Sequence, residues 1–179
     1  LSSEKKKILI LDKITKKIFY FLDNEYSVLY LDIRGDNLNI FILIKSIYYF
    51  LTTKASLFQS YVIANINHYK VDILISSQEV PKFFEIKKFN KNIKTIFVQL
   101  DSKDQESLKF LDNLKIKIDF IFCTGKNWAD HYKKVCSTKP IIFTKNFILK
   151  QKLFNYSNNS KKKIVYISTF RKNLNLSKN

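Results

Sequence analysis

The stretch that decides the fold is Val71-Asp72-Ile73-Leu74-Ile75, followed by Ile93-Lys94-Thr95-Ile96-Phe97-Val98-Gln99-Leu100-Asp101. Both runs are continuously apolar and rich in β-branched residues, which predicts strands buried on both faces of a parallel sheet. The residues between them have helical character, so the unit is strand, helix, strand. Polar side chains close both runs, and ligands of such sheets bind beyond the carboxyl ends of the strands. We therefore expect the functional site at these ends.

The same alternation extends in both directions from this stretch. Apolar strand-like runs occupy residues 7–11, 27–33, 118–123 and 140–144, and segments with helical spacing of apolar residues stand between them. Short connections between alternating strands and helices are typical of doubly wound sheets. The sequence predicts an α/β, Rossmann-like fold with a mostly parallel sheet of about six strands flanked by helices.

The domain organisation changes after residue 146. Residues 1–146 suit one α/β domain, and residues 147–162 read as a basic linker. Residues 163–168 form a further buried-strand run, Lys-Ile-Val-Tyr-Ile-Ser, with few residues after it. A buried parallel strand needs a crossover and neighbouring strands. We expect residues 163–179 to be the truncated start of a second α/β domain.

The charge of the chain is high but uneven. The formal net charge is +17, and residues 131–179 contain no Asp or Glu. Nearly all basic residues are lysine, which lacks the bidentate recognition of phosphate and bases that arginine provides. This composition argues against dedicated nucleic-acid binding. The basic C-terminal stretch is expected to face an anionic membrane or an acidic partner, or simply to be solvated.

The two cysteines, Cys123 and Cys136, lack the spacing of a metal site or a disulfide framework. They are expected to be reduced and structural, as in a cytoplasmic protein. Lysines interrupt every apolar run before it reaches the length of a membrane span. The first residues also lack the apolar segment of a signal peptide. These observations predict a cytoplasmic protein with no bound metal.

Candidate catalytic carboxylates stand near the predicted carboxyl edge of the sheet. They are Asp12, Asp36 and Asp101, each of which could instead be a cap or turn residue. The tripeptide Thr124-Gly125-Lys126 has the letters of a phosphate loop, but position 120 is Phe and position 127 is Asn. The second glycine and the hydroxyl residue of that loop are therefore missing.

Four segments together carry a resemblance to a known family. They are Arg34-Gly35-Asp36-Asn37-Leu38-Asn39, residues 93–99, Phe122-Cys123-Thr124-Gly125-Lys126, and residues 163–171. In this order they resemble the N-terminal half of bacterial surface-carbohydrate (O-antigen or capsule type) biosynthesis proteins, transferases of a two-domain, glycosyltransferase-B-like form. Two glycine turns of the family are replaced here, by Leu100-Asp101 after Gln99 and by residues 143–146 after the sixth strand.

The resemblance implies transfer of a sugar or related group from a nucleotide-activated donor to a glycan acceptor. The acceptor would be a glycan or a lipid-linked glycan, reached at the inner face of the membrane. The N-terminal domain would hold the acceptor, and the second domain would bind the nucleotide-sugar, without a bound cofactor. Asp12, Asp36 or Asp101 would act as the base. The substrate-binding residues would be Arg34, Gly35, Asn39, Gln78, Gln99, Thr124 and Lys126.

Two expectations accompany this hypothesis. Because the donor-binding domain would be missing, we expect the 179 residues alone not to catalyse transfer. The alternative hypotheses are a stand-alone basic α/β module that binds nucleic acid or another polyanion, and a gene fragment without function. Steep salt dependence of binding would distinguish the polyanion-binding module.

Overall fold

The structure, a computed structural model, describes residues 5–12, 15–31, 39–78, 80–100 and 106–143. Within these ranges the chain forms a six-stranded sheet in which all neighbouring strands are parallel. The strand order is β2-β1-β3-β4-β5-β6. The predicted α/β doubly wound fold with a parallel sheet is therefore confirmed.

The elements follow one another with short connections. The strands are β1 (Lys7–Leu11), β2 (Ser27–Leu31), β3 (Ile73–Ser76), β4 (Lys94–Val98), β5 (Phe120–Cys123) and β6 (Ile141–Ile142). The α-helices are α1 (Lys16–Phe19), α2 (Ile40–Thr52), α3 (Leu57–Tyr69), α4 (Pro81–Phe84) and α5 (Lys126–Tyr132). Short 3-10 helices cover Tyr20–Asn24, Ile86–Lys88 and Glu106–Asn113.

The two faces of the sheet have separate cores because side chains alternate along each strand. Leu9 and Leu11 of β1 belong to the larger core, which includes buried residues of α3, α4 and α5. Ile8 and Ile10 point to the other face, where Phe19 of α1 is buried with them. That face also carries an apolar groove of about 410 Å³ between α1 and strands β3 to β6. Among the described residues, α1 and the adjoining 3-10 helix are the helical elements of this second core.

The helices α2 and α3 form a hairpin whose ends are capped. Asn39 precedes α2, and its side-chain Oδ1 accepts hydrogen bonds from the backbone N–H groups of Phe41 and Ile42. Ser56 and Gln59 form a reciprocal capping box at the start of α3. Such caps satisfy backbone donors that have no partner within the helix. The residues at the start of each helix therefore define where α2 and α3 begin.

The segments with helical spacing between the strands are α-helical only in part. The segment before β5 contains a 3-10 helix over Glu106–Asn113, and the segment between β3 and β4 divides into α4 and a 3-10 turn over Ile86–Lys88. The predicted linker, residues 147–162, and the predicted start of a second domain, residues 163–179, lie outside the described residues.

Candidate functional site

The candidate site lies where the strand order reverses, between β1 and β3. The chain leaves β1 toward β2 on one side and later returns to β3 on the other, so the direction of winding reverses between these strands. Ligands of doubly wound sheets bind outside the carboxyl ends of the strands at this reversal. Asp12 follows β1 and Gln78 follows β3, so both predicted site residues lie at this reversal.

Asp12 has an unusual backbone conformation. Its φ is 114°, a value that residues with a Cβ rarely adopt. The backbone around it is firmly held: its N–H donates to the Leu31 carbonyl at 3.1 Å, and its carbonyl accepts from the Thr15 N–H at 3.2 Å and the Thr15 hydroxyl at 2.7 Å. Such conformations persist where surrounding contacts impose them, and they cluster at functional sites. This strain was not visible in the sequence.

The side chains of Asp12 and Gln78 meet across the reversal. The Gln78 Nε2 amide donates a hydrogen bond to Asp12 Oδ2 at 2.5 Å. Gln78 is itself held by Ser76, whose Oγ accepts from the Gln78 N–H at 3.1 Å and donates to the Gln78 carbonyl at 3.3 Å. Both Asp12 and Gln78 are half-buried, so the carboxylate is oriented while remaining partly accessible.

A second amide contact joins the ends of β4 and β5. Gln99 Oε1 accepts hydrogen bonds from the Thr124 backbone N–H at 3.1 Å and from the Thr124 hydroxyl at 3.3 Å. Gln99 is only 1% exposed, and its Nε2 has no hydrogen-bond partner. An unpaired buried donor is costly, on the order of 1–3 kcal/mol. Gln99 therefore lies beneath the edge rather than on the cleft surface, with one unsatisfied donor.

Lys126 begins α5 directly after a glycine turn. Gly125 has φ 103° and ψ 163°, a backbone region that is essentially restricted to glycine. The Lys126 side chain is exposed and lines a cavity of about 560 Å³. Three other lysines, Lys117, Lys133 and Lys139, line the same cavity, together with Asp130. This cavity is basic, and the sequence pattern did not reveal it because its lysines come from separate segments.

The remaining predicted site residues divide into two groups. Asn39 caps α2 with its side-chain oxygen, which accounts for its position at the start of that helix. Arg34, Gly35 and Asp36 follow β2 in the sequence, and Asp101 follows β4; these four lie outside the described residues. Of the three candidate carboxylates, Asp12 is thus the one for which the structure gives contacts.

Asp119 is a half-buried carboxylate that the sequence pattern did not single out. It lies before β5, at the amino edge of the sheet, and its carboxylate accepts hydrogen bonds from Lys87 Nζ at 2.7 Å and 2.8 Å. The Thr95 N–H and hydroxyl also donate to Asp119 Oδ2, at 2.8 Å and 3.0 Å. Burial favours the neutral acid, but these donors outweigh it and lower the pKa of Asp119. Because it lies opposite the carboxyl edge, we interpret the cluster as a structural connection between β4 and β5.

The fold and the paired residues define a doubly wound α/β protein with an oriented carboxylate at its topological reversal. Within the described ranges, no group of three or more His, Cys, Asp or Glu side chains is arranged to hold a metal ion. None of the helices in those ranges has the length and apolar character needed to cross a membrane. Comparison with known proteins found that no protein-family model and no curated protein matches the chain.

Proposed function

We propose that the carboxyl edge of the sheet binds a glycan acceptor, and that the chain is the acceptor-side domain of a glycosyltransferase-like enzyme of surface polysaccharide biosynthesis. The observation that carries the proposal is the contact between Asp12 and Gln78 at the reversal between β1 and β3. Carboxylate and amide groups are suited to sugar hydroxyls because they combine strong acceptors with N–H donors. The family resemblance of the sequence favours the same substrate class.

In the proposed reaction Asp12 is the base that removes the proton from the acceptor hydroxyl. A base must stand within hydrogen-bond reach of that proton, and the bond from Gln78 orients the carboxylate for this contact. Asp36 and Asp101 remain alternative bases. The acceptor oxygen would form a bond to the anomeric carbon of a nucleotide-sugar as the bond from that carbon to the nucleotide phosphate breaks, so the nucleotide leaves. A second domain would hold this donor and its departing phosphate, and the proposed mechanism requires no bound metal or cofactor.

Saccharide binding by the 179-residue chain tests the proposal directly. Saturation-transfer NMR would be recorded with methyl glycosides of N-acetylglucosamine, galactose, mannose and rhamnose. We expect the wild-type protein to transfer saturation to at least one glycoside, and we expect this signal to be lost in Asp12→Ala and in Gln78→Leu. Lys94→Gln, an exposed change at the amino edge of the sheet, is the matched control and should leave binding intact.

Two results would overturn the proposal. One is that none of the glycosides receives saturation from the folded wild-type protein. The other is that a glycoside binds equally well to wild type and to Asp12→Ala, since the oriented carboxylate would then take no part in recognition. Thermal unfolding of each variant, followed by circular dichroism, separates loss of the ligand contact from loss of the fold.

Polyanion binding is the second candidate function, and the basic cavity beside α5 is the observation that favours it. Four lysines and one aspartate line this cavity of about 560 Å³. If a polyanion binds there, a fluorescent heparin oligosaccharide or duplex DNA should bind at low salt with steep salt dependence. Lys126→Gln combined with Lys133→Gln should weaken binding more than Lys45→Gln, which removes a charge from α2. Equal effects of these changes would argue against the cavity as the site.

A further inference from the structure

The outward face of α2 is apolar along its whole length. Ile42 and Ser46 are buried on the inward side, where α2 contacts α3. On the outward side, residues spaced by three and four form one stripe, and each is between 48% and 75% exposed. We define the α2 stripe as Ile40, Phe41, Ile44, Ile47, Tyr48 and Leu51. In a globular protein the apolar stripe of a helix normally faces the core, whereas the α2 stripe faces outward.

The α2 stripe is larger than the isolated apolar residues that every protein surface contains. Six large side chains, two of them aromatic, lie next to one another without an intervening charge. Together they expose roughly several hundred Å², the size at which an apolar patch marks an interaction site. The stripe therefore has the character of a docking surface.

The charges around the stripe favour an anionic partner. The sequence contains no Asp or Glu between Asp36 and Asp72, a segment that includes both helices of the hairpin. Its charged residues are Lys45, Lys54 and Lys70, all of which are exposed. An anionic surface would thus meet apolar side chains and lysines from this hairpin, with no carboxylate from the hairpin to repel it.

A second copy of the chain fits the stripe less well. Each copy carries a formal net charge of +17, and repulsion between like charges opposes association. A bilayer containing acidic phospholipids offers both an apolar layer and a negative surface potential, which attracts nearby lysines. Aromatic and aliphatic side chains on such a helix lie at the boundary between headgroups and acyl chains.

We propose that α2 docks the protein on an anionic phospholipid membrane, with the α2 stripe inserted at the bilayer interface and Lys45 and Lys54 beside the lipid phosphates. The helix lies along the surface and does not cross the bilayer. It begins at Ile40, directly after its capping residue Asn39. The inference does not depend on the proposed transferase function, because it concerns a different surface and is tested with lipid alone.

Vesicle flotation tests the docking surface with the full 179-residue chain. Phosphatidylcholine vesicles containing about one-third phosphatidylglycerol would be compared with phosphatidylcholine alone. We expect binding to the anionic vesicles and little binding to the neutral ones. The double change Ile44→Ser and Leu51→Ser should lower the partition coefficient by about 10-fold or more, because two inserted aliphatic side chains are lost. Both residues are highly exposed, so the fold should tolerate the change.

The matched control is Tyr20→Ser, which removes an apolar side chain that is 60% exposed but lies in a different helix. It should bind anionic vesicles as the wild type does. A Tyr48→Trp reporter in a Trp128→Phe background should show a blue-shifted emission on vesicle binding and quenching by lipids with a spin label near the headgroup. Unchanged circular dichroism of each variant confirms that the fold is retained.

Three outcomes would overturn the proposal. Absence of binding to either vesicle type would exclude a membrane-docking role. Equal binding by the wild type and by Ile44→Ser/Leu51→Ser would assign the attraction to lysines elsewhere, such as the basic C-terminal stretch. A dimer in light scattering that dissociates on Ile44→Ser/Leu51→Ser, without vesicle binding, would show that a second copy covers the stripe.

Discussion

Gln78 donates its side-chain amide to the Asp12 carboxylate across the point where the winding of the sheet reverses. The two residues are far apart in sequence, and each follows a strand whose carboxyl end faces the same edge. The sequence alone left open whether Asp12 was only a turn residue. The hydrogen bond orients its carboxylate at the edge of the sheet where doubly wound folds bind ligands. The strained backbone of Asp12 accompanies the contact.

The strain at Asp12 predicts a difference between two truncations of its side chain. Asp12→Ala and Asp12→Gly both remove the acceptor of Gln78, but only alanine keeps a Cβ at φ 114°. We expect the glycine variant to be more stable than the alanine variant by about 1–2 kcal/mol, because glycine adopts this conformation without strain. Urea unfolding of the two proteins measures the difference. Equal stabilities would show that the backbone at residue 12 is relaxed in solution.

Replacing Gly125 is predicted to lower the stability of the fold through backbone strain, without a steric clash. A Cβ added at this position would meet no atom within 4 Å, yet φ is 103°. We expect Gly125→Ala to lower the free energy of unfolding by about 1–3 kcal/mol through backbone strain alone. The measurement is chemical denaturation, with exposed Lys126→Ala at the next position as the control. An unchanged free energy of unfolding in Gly125→Ala would contradict the observed conformation.

The Asp119 cluster predicts a dependence of stability on pH. The hydrogen bonds from Lys87 and Thr95 outweigh burial and hold the pKa of Asp119 below its ordinary value. The contribution of Asp119 to the free energy of unfolding is therefore fully present above its pKa in the unfolded chain, about 4. That contribution is lost as the pH falls through the lower pKa of the folded protein. We expect the unfolding free energy of the wild type to fall more steeply in this acid range than that of Asp119→Asn.

Near neutral pH, Asp119→Asn should be less stable than wild type by about 2 kcal/mol, because the largely buried Lys87 loses its charged partner. Asp112→Asn is the matched control, since the ion pair between Asp112 and Lys134 is exposed. It should leave the midpoint of urea unfolding unchanged. A comparable shift in both variants would mean that the Asp119 cluster acts as an ordinary surface ion pair.

The buried thiols predict resistance to alkylation. Burial, with a smaller contribution from nearby Cys136, raises the pKa of Cys123 to about 11. Both cysteines are buried and free. Because the thiolate is the reactive form, we expect neither to react with iodoacetamide near pH 8 while the protein is folded, and both to react in urea. Mass spectrometry counts the added groups. Rapid labelling of Cys123 in the native protein would contradict its burial.

The sequence predicted the sheet well because a buried parallel strand needs an unbroken apolar run. Residues 71–75 and 93–101 contained such runs. β4 lies within the second run, and β3 begins within the first and ends one residue beyond it, at Ser76. Helices were predicted less accurately, since short apolar periodicities do not distinguish an α-helix from a 3-10 helix. The segment Glu106–Asn113 illustrates this limit. Its apolar spacing suits a core-facing helix, but the tighter 3-10 form is the one observed.

The structure brings together some of the residues that the sequence marked as candidates. Strand ends marked Asp12, Gln78, Gln99 and Thr124, and the structure joins them into two separate pairs. The pairing depended on strand order, which local patterns do not encode. The burial of Gln99 and the connection of Asp119 to Lys87 and Thr95 also escaped the sequence, because each depends on which strands become neighbours. The exposed side of α2 was missed for a related reason: its apolar character was visible, but which sides would be covered was not.

By itself the sequence determined that residues 71–101 contain two strands of a parallel sheet with a helical segment between them, since two short β-branched apolar runs with such a spacer are typical of buried parallel strands. Tertiary structure alone decided that β1 lies between β2 and β3, which brings Gln78 to Asp12 and leaves the outer face of α2 uncovered. The physical reason is the separation along the chain of the residues that interact. Strand and helix formation depend on neighbouring residues, whereas the contact between Asp12 and Gln78 depends on how distant segments pack.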